Sequence, residues 1–364
     1  MEIKLGNNPP FLFSKKAETN IIKKKQPQVK QTRKRHESVD ATILTAFFPK
    51  NNEKSLTSSM TMLRSPDFAK KQKKYTEFIS KLHKNPKLEI HDSNEVEYKK
   101  IVILGVGSFG EVFEMTWNSS KVAVKRYHTV NIYNEKKNDL EEKLLLKELN
   151  MITEMNFPIN NKFYGVFIQR ETGYIHTIHE LAKGSLEKKL QEGISDSQKD
   201  NYAKGLIEIV IFLVEKGFVH RDFAPKNILV TFNDELKLCD LGSSSKIKQG
   251  DLKQSNGPYT PFYAPPEVIK GSVHPNSDIW SMGLIFYLIY YGKNFWDLKN
   301  FNEEYVNKVK SGIDFDPEVQ WDPRKCPKQI VEIIKGCLHH EASQRKHIKE
   351  IDKMLNNYLL SKSI

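Results

Sequence analysis

The run His220-Arg221-Asp222-Phe223-Ala224-Pro225-Lys226-Asn227-Ile228-Leu229-Val230, followed by Cys239-Asp240-Leu241-Gly242, decides how this chain is read. An acid at 222, an amide five residues on and a second acid beyond a short strand pair form a compact set of oxygen ligands. Such a set can orient a hydroxyl and hold magnesium, a cation that keeps several waters and needs few protein carboxylates.

Outward toward the N-terminus lies Gly105-Val106-Gly107-Ser108-Phe109-Gly110-Glu111-Val112, between two apolar segments that read as strands. A G-x-G-x-x-G run that opened a dinucleotide-binding fold would lead from a strand into a helix. Here it leads into another strand, where glycines let backbone amides approach phosphate oxygens with no Cβ in the way. Val122-Ala123-Val124-Lys125 follows, an alternating strand ending in a lysine. A lysine at such a place is costly to bury unless phosphates or a carboxylate pair with it.

The wider pattern is strands first and helices afterwards. Strands are predicted over 101–104, 111–116, 121–127, 163–170 and 174–179, with a helix over 138–155 among them. Beyond Gly184 the period is helical, over 197–216, 276–292, 303–311, 328–339 and 342–360. That order, without βαβ alternation, predicts an α+β protein of two lobes, β-rich then helical. Residues 98–360 form the expected domain. Residues 65–97 form an amphipathic helix and linker, started by Ser65-Pro66-Asp67 and ended by Asn85-Pro86. Residues 1–64 are expected to be a disordered basic tail.

The order of these motifs resembles the eukaryotic protein kinase superfamily, serine/threonine-type with a tyrosine-kinase-like catalytic loop, over about residues 98–357. The glycine loop, strand lysine, H-R-D-x-x-x-x-N loop, Asp240-Leu241-Gly242 for D-F-G, Pro265-Pro266-Glu267 for A-P-E and the distal Arg345 all occur in sequence. The resemblance implies an ATP- and Mg2+-dependent transfer of phosphate to a protein hydroxyl. It places Gly105, Gly107 and Gly110 over the phosphates, with Leu104, Val106, Ser108 and Phe109 completing that loop. Val112 and Ala123 would lie above the adenine and Leu229 below it. Lys125 would hold the α- and β-phosphates and pair with Glu148, preferred over Glu141 and Glu142 because those would leave Ile152 unable to stack behind Leu241. Asp222 would orient and deprotonate the acceptor, and Asn227 and Asp240 would bind the metal. Glu267 and Arg345 would form a buried structural pair, and Arg221 would meet a phosphate on Ser255 of the activation segment.

Acceptor choice draws on two opposed signals. Ala224 and Lys226, two and four residues after Asp222, resemble the tyrosine-kinase loop, in which the base at plus four steadies the γ-phosphate. Thr260-Pro261-Phe262-Tyr263 resembles the serine/threonine pattern G-T-P-x-Y and carries more weight, because that segment meets the substrate. Serine/threonine transfer is the expectation; tyrosine or dual specificity is the alternative. A catalytically weak kinase-fold scaffold with a nuclear interaction tail is the rival of another class.

Charge is uneven. Residues 1–90 hold 20 Lys+Arg against 8 Asp+Glu, so the whole net charge of +12 belongs to that quarter. Lys23-Lys24-Lys25 and Arg33-Lys34-Arg35 read as a bipartite nuclear address or, failing that, a nucleic-acid contact confined to the tail. Leu44, Phe47 and Phe48 resemble the plug that docks on the replication sliding clamp, although Ala41 stands where glutamine is usual. The chain's own kinase lobe is the other expected partner for that plug. Three scattered cysteines give neither a disulfide framework nor a metal spacing. With no secretory signal and no membrane-length apolar run, an intracellular site, nucleus or cytoplasm, is expected.

Overall fold

The computed structural model describes residues 66–364 apart from 108–109, 135–138, 156, 249–252, 255–258, 296–305, 308–320, 323 and 363–364, and gives backbone alone for 66, 97–101 and 253. The basic runs of the tail, the Leu44, Phe47 and Phe48 plug, Ser108, Phe109, Ser255 and nearly all of the helix expected over 303–311 lie outside the described residues.

The architecture is α+β in two lobes. The first is an antiparallel sheet of β1 (Val96–Gly107), β2 (Gly110–Trp117), β3 (Ser120–Asn131), β4 (Phe163–Ile168) and β5 (Tyr174–Glu180), in the order β1-β2-β3-β5-β4. Helix α1 (Pro66–Leu82) precedes it and α2 (Asp139–Glu154) joins β3 to β4. Alternation along the strands divides the sheet chemically. Met115, Val122, Val124, Phe167 and Ile178 form one apolar cluster. Val112, Ala123, Lys125, Thr177 and His179 alternate with them and are joined by the strand register, Val112 opposite Lys125, Lys125 opposite Thr177 and Ala123 opposite His179. They therefore share the other face.

The second lobe begins with β6 (Gly184–Ser185), α3 (Leu186–Glu192) and α4 (Asp196–Lys216). Helix α4 starts at a capping box of Ser195 and Gln198 and stops at Gly217, whose φ of 70° suits a residue without a Cβ. Short strands β7 (Phe218–Val219), β8 (Ile228–Val230) and β9 (Leu236–Leu238) follow; β8 pairs antiparallel with β6 and β9. After β10 (Ser245–Lys246) and β11 (Lys253–Gln254) come α5 (Pro266–Ile269), β12 (Ser272–Val273) and α6 (Ser277–Tyr291). Helix α6 is buried almost all round and packs against α4 and α7 (Lys328–Cys337), which both also meet α8 (Ile348–Lys362). Among the described residues no helix is long and apolar enough to cross a membrane.

The single helix expected over 342–360 is broken. A turn at Ala342–Gln344 ends where Arg345 takes extended backbone angles, and α8 starts only at Ile348. The cause is Arg345 itself, whose buried guanidinium makes a two-pronged contact with Glu267 at 2.7 Å on each arm. A helical backbone through 345 would turn with the helix and lose that fork.

Candidate active site

Strand β3 and helix α2 meet through charge. Lys125 Nζ lies 2.7 Å from Glu148 Oε1 and 3.4 Å from Asp240 Oδ1, and the Tyr127 hydroxyl donates to the same Glu148 oxygen at 2.8 Å. Burial alone would discharge the lysine, but Glu148, Tyr127 and Asp240 outweigh it and raise its pKa well above the ordinary value. Lys125 in turn holds the Asp240 carboxyl below the usual range. Of the competing acids, Glu142 faces away and pairs with Lys81 of α1. Gly242 keeps the arrangement tight, since a Cβ there would sit 3.2 Å from Glu148 Oε2.

The glycine loop separates structural from unexplained glycines. A Cβ on Gly110 would fall 2.0 Å from the Arg126 carbonyl oxygen, so the β2–β3 ladder requires that glycine. Among the described residues, a Cβ on Gly105 would meet nothing within 4 Å, and one on Gly107 only the Gly110 carbonyl at 3.8 Å. Packing demands neither, and the room they leave suits a group the chain does not supply. Leu104 and Val106 are 46% and 57% exposed on the same hairpin, apolar area that a ligand would cover. Val112 and Ala123 share the Lys125 face of the sheet. His179 is there too; burial and the Lys125 charge lower its pKa to about 3, so the ring is neutral. Leu229 is half-buried on β8.

The loop after β7 is held from within. Asp278, at the start of α6, accepts the backbone N–H of His220 at 2.7 Å and of Arg221 at 3.0 Å. That grip secures Arg221 at a φ of 69°, unusual for a residue with a side chain. The fully buried His220 ring points Nε2 at the Cys239 carbonyl, 3.1 Å away, linking this loop to the one bearing Asp240. Asp240 itself has a φ of 58°. Arg221 is buried and donates through Nε to the Ser243 carbonyl.

Asp222 is surrounded by donors. Asn227 Nδ2 donates to its carbonyl and to Oδ2, both at 2.8 Å, and Lys226 Nζ is 3.6 Å from Oδ2. The Thr260 N–H donates to Oδ1 at 2.7 Å, and the Thr260 hydroxyl donates to the same oxygen. Asn227 commits its NH2 group to Asp222, which leaves the amide oxygen for other use. That oxygen and the half-exposed, ionised Asp240 are hard donors of the kind magnesium takes. The residues present therefore fit the metal. Two members of this network, Tyr127 and Asp278, carry no chemistry and were not singled out for a role from sequence. Asp278 stands at the start of the apolar helix expected over 276–292, and an acid beside that apolar run was the available signal.

The model of the protein kinase domain matches residues 98–355, well over half of the chain. The chain belongs to the protein kinase family. Among curated proteins this kinase is similar to the BDNF/NT-3 growth factors receptor of Gallus gallus, 29% identical over 280 residues, covering 70% of the chain and 32% of that protein. It is similar to a probable serine/threonine-protein kinase of Dictyostelium discoideum, 25% identical over 280 residues, 76% of the chain and 29% of the relative. Calcium-dependent protein kinase 5 of Plasmodium falciparum is 28% identical over 290 residues, 76% of the chain and 48% of the relative. The kinase thus spans less than half the length of each of these relatives.

Proposed function

We propose that this kinase transfers the γ-phosphoryl group of ATP, with magnesium, to serine and threonine hydroxyls of proteins. The observation that carries the acceptor choice is the Thr260 hydroxyl on Asp222 Oδ1. A tyrosine hydroxyl lies a ring's length farther from its backbone than that of serine, so the peptide shelf beside the acid governs which one reaches it. A shelf that begins with a threonine tied to the acid itself favours the short approach.

In this reading Asp222 orients the acceptor hydroxyl and takes its proton as the oxygen attacks phosphorus, while ADP departs. Lys125, fixed by Glu148, stabilises charge on the donor's phosphates, and Lys226 does so on the transferred group. Asn227 and Asp240 would hold magnesium, which neutralises phosphate charge when bound.

Lys226, as the base at plus four, favours tyrosine or dual specificity as a second reading, and the relatives include both a growth factor receptor and a probable serine/threonine kinase. Labelled ATP with a mixed protein acceptor, followed by separation of the phosphoamino acids, decides between them. Phosphoserine and phosphothreonine support the first reading. Phosphotyrosine as the main product overturns it.

A further inference from the structure

Helix α1 lies outside the family match, which begins at residue 98, yet it is built into the first lobe. Phe78 and Leu82 are 3% and 1% exposed and share one core cluster with Leu145, Leu149 and Ile152 of α2. Lys81 pairs with Glu142 of α2. Just past the helix, Asn85 Nδ2 donates to Asn150 Oδ1 at 2.9 Å and to Thr153 Oγ1 at 2.8 Å. The segment is anchored again beyond this: His91 N–H donates to the Val166 carbonyl at 2.8 Å, Val166 N–H donates to the Glu89 carbonyl at 2.9 Å, and Arg170 pairs with Asp92 at 3.0 Å.

Where these contacts fall on α2 gives them a meaning. At about 100° per residue, Leu145, Leu149 and Ile152 form the middle of the buried face. Glu148 lies on one edge of it, and Glu142, Thr153 and Asn150 lie on the other, roughly 120° or more around the axis from Glu148. The grip of α1 extends from 142 to 153, about 16 Å along the helix. Contacts that far apart, on the edge opposite Glu148, oppose both rolling and tilting of α2. Either motion would draw Glu148 away from Lys125.

We infer that α1 and the turn after it, through Lys81 and Asn85, are positioning elements that set the rotation of α2 and so keep Glu148 on Lys125. The inference rests on Glu148 being the lysine's working partner in phosphoryl transfer. It makes the segment before the family domain part of what makes this kinase competent, without touching any reacting atom.

The test is a charge exchange in the full chain. Lys81→Glu and Glu142→Lys should each lower the kcat for phosphoryl transfer about tenfold. In each, hydrogen exchange of the α2 amides should quicken while that of α4 and α6 stays unchanged. The double exchange Lys81→Glu with Glu142→Lys should bring both readouts back to within about threefold of the unaltered chain. Asn85→Ala, a milder change at a partly exposed site, should move both in the same direction by a smaller factor. Single variants with unchanged exchange at α2 overturn the inference. So does faster exchange at α2 with undiminished transfer, a matching rise in α4 and α6, or a double variant that recovers neither readout. If the unaltered chain transfers no phosphate, the catalytic reading fails on its own, and the exchange data still decide whether α1 holds α2.

Discussion

Replacing Lys125 by Met should remove activity and also weaken the fold, for separable reasons. The lysine and Glu148 side chains are only 16% and 10% exposed, so each neutralises the other where water cannot. Removing one member of such a pair leaves an uncompensated buried charge, which costs about 3–5 kcal/mol when burial is complete. Here the Tyr127 hydroxyl still donates to Glu148, so the lower end, about 3 kcal/mol, is expected. For a domain of this size that lowers the melting temperature by roughly 6 °C. Transfer should fall by about a hundredfold or more, as when one electrostatic donor is removed from a transition state. The paired variant Lys125→Met with Glu148→Leu separates the two effects. It removes the stranded carboxylate, so most of the lost melting temperature should return while activity stays lost. Thermal unfolding beside a peptide phosphorylation assay reads both. Retention of more than a tenth of the activity in Lys125→Met refutes the role given to the lysine. No recovery of stability in the paired variant refutes the account of the stranded charge.

The glycine loop predicts a contrast: Gly110→Ala forces a Cβ onto the Arg126 carbonyl and should destabilise the sheet by about 1–3 kcal/mol, whereas Gly105→Ala should leave the melting temperature unchanged and raise the KM for ATP. Equal melting temperatures for the two would contradict the distinction. Burial, with the Arg126 charge, lowers the pKa of His176 to about 4, while its unfolded counterpart titrates near 6.5. The unfolded chain therefore binds the proton first, so stability present above pH 6.5 is lost as pH falls toward 4, by about 2 kcal/mol at pH 5 from this one ring. His176→Gln should flatten that slope in denaturant titrations at pH 7 and pH 5; an unchanged slope would show that the ring is not its source.

The chemistry of this kinase was legible because phosphoryl transfer ties a few residue types to fixed separations. Lys125, Asp222, Asn227 and Asp240 were named from the resemblance of their motifs, and Glu148 was preferred over Glu141 and Glu142 because those would leave Ile152 unable to stack behind Leu241; the structure sets Lys125 beside Glu148 and Asp240, and Asn227 beside Asp222. The supports were harder to read. Tyr127 looks like any strand aromatic, and its hydroxyl reaches Glu148 only because β3 and α2 pack together. Asp278 is 58 residues from the N–H of His220 that it accepts, too far for any local pattern to show. The break at Arg345 was missed although its buried pair with Glu267 was expected, because helical periodicity records apolar faces and not the backbone path that such a pair takes. Helix α1 was visible as an amphipathic stretch, but its side-chain partners on α2 are not written in its own period.

The central claim is that the Asp222 carboxylate, held by Asn227, Lys226 and Thr260, is the base that takes the acceptor's proton. Asp222→Asn keeps the shape of the side chain and removes its charge, so ATP should still bind with an unchanged Kd. Single-turnover transfer of labelled phosphate to a serine-containing peptide should slow by about a hundredfold to ten-thousandfold, the range usual for a positioned general base. Transfer within threefold of the unaltered kinase, with ATP binding intact, would contradict the account.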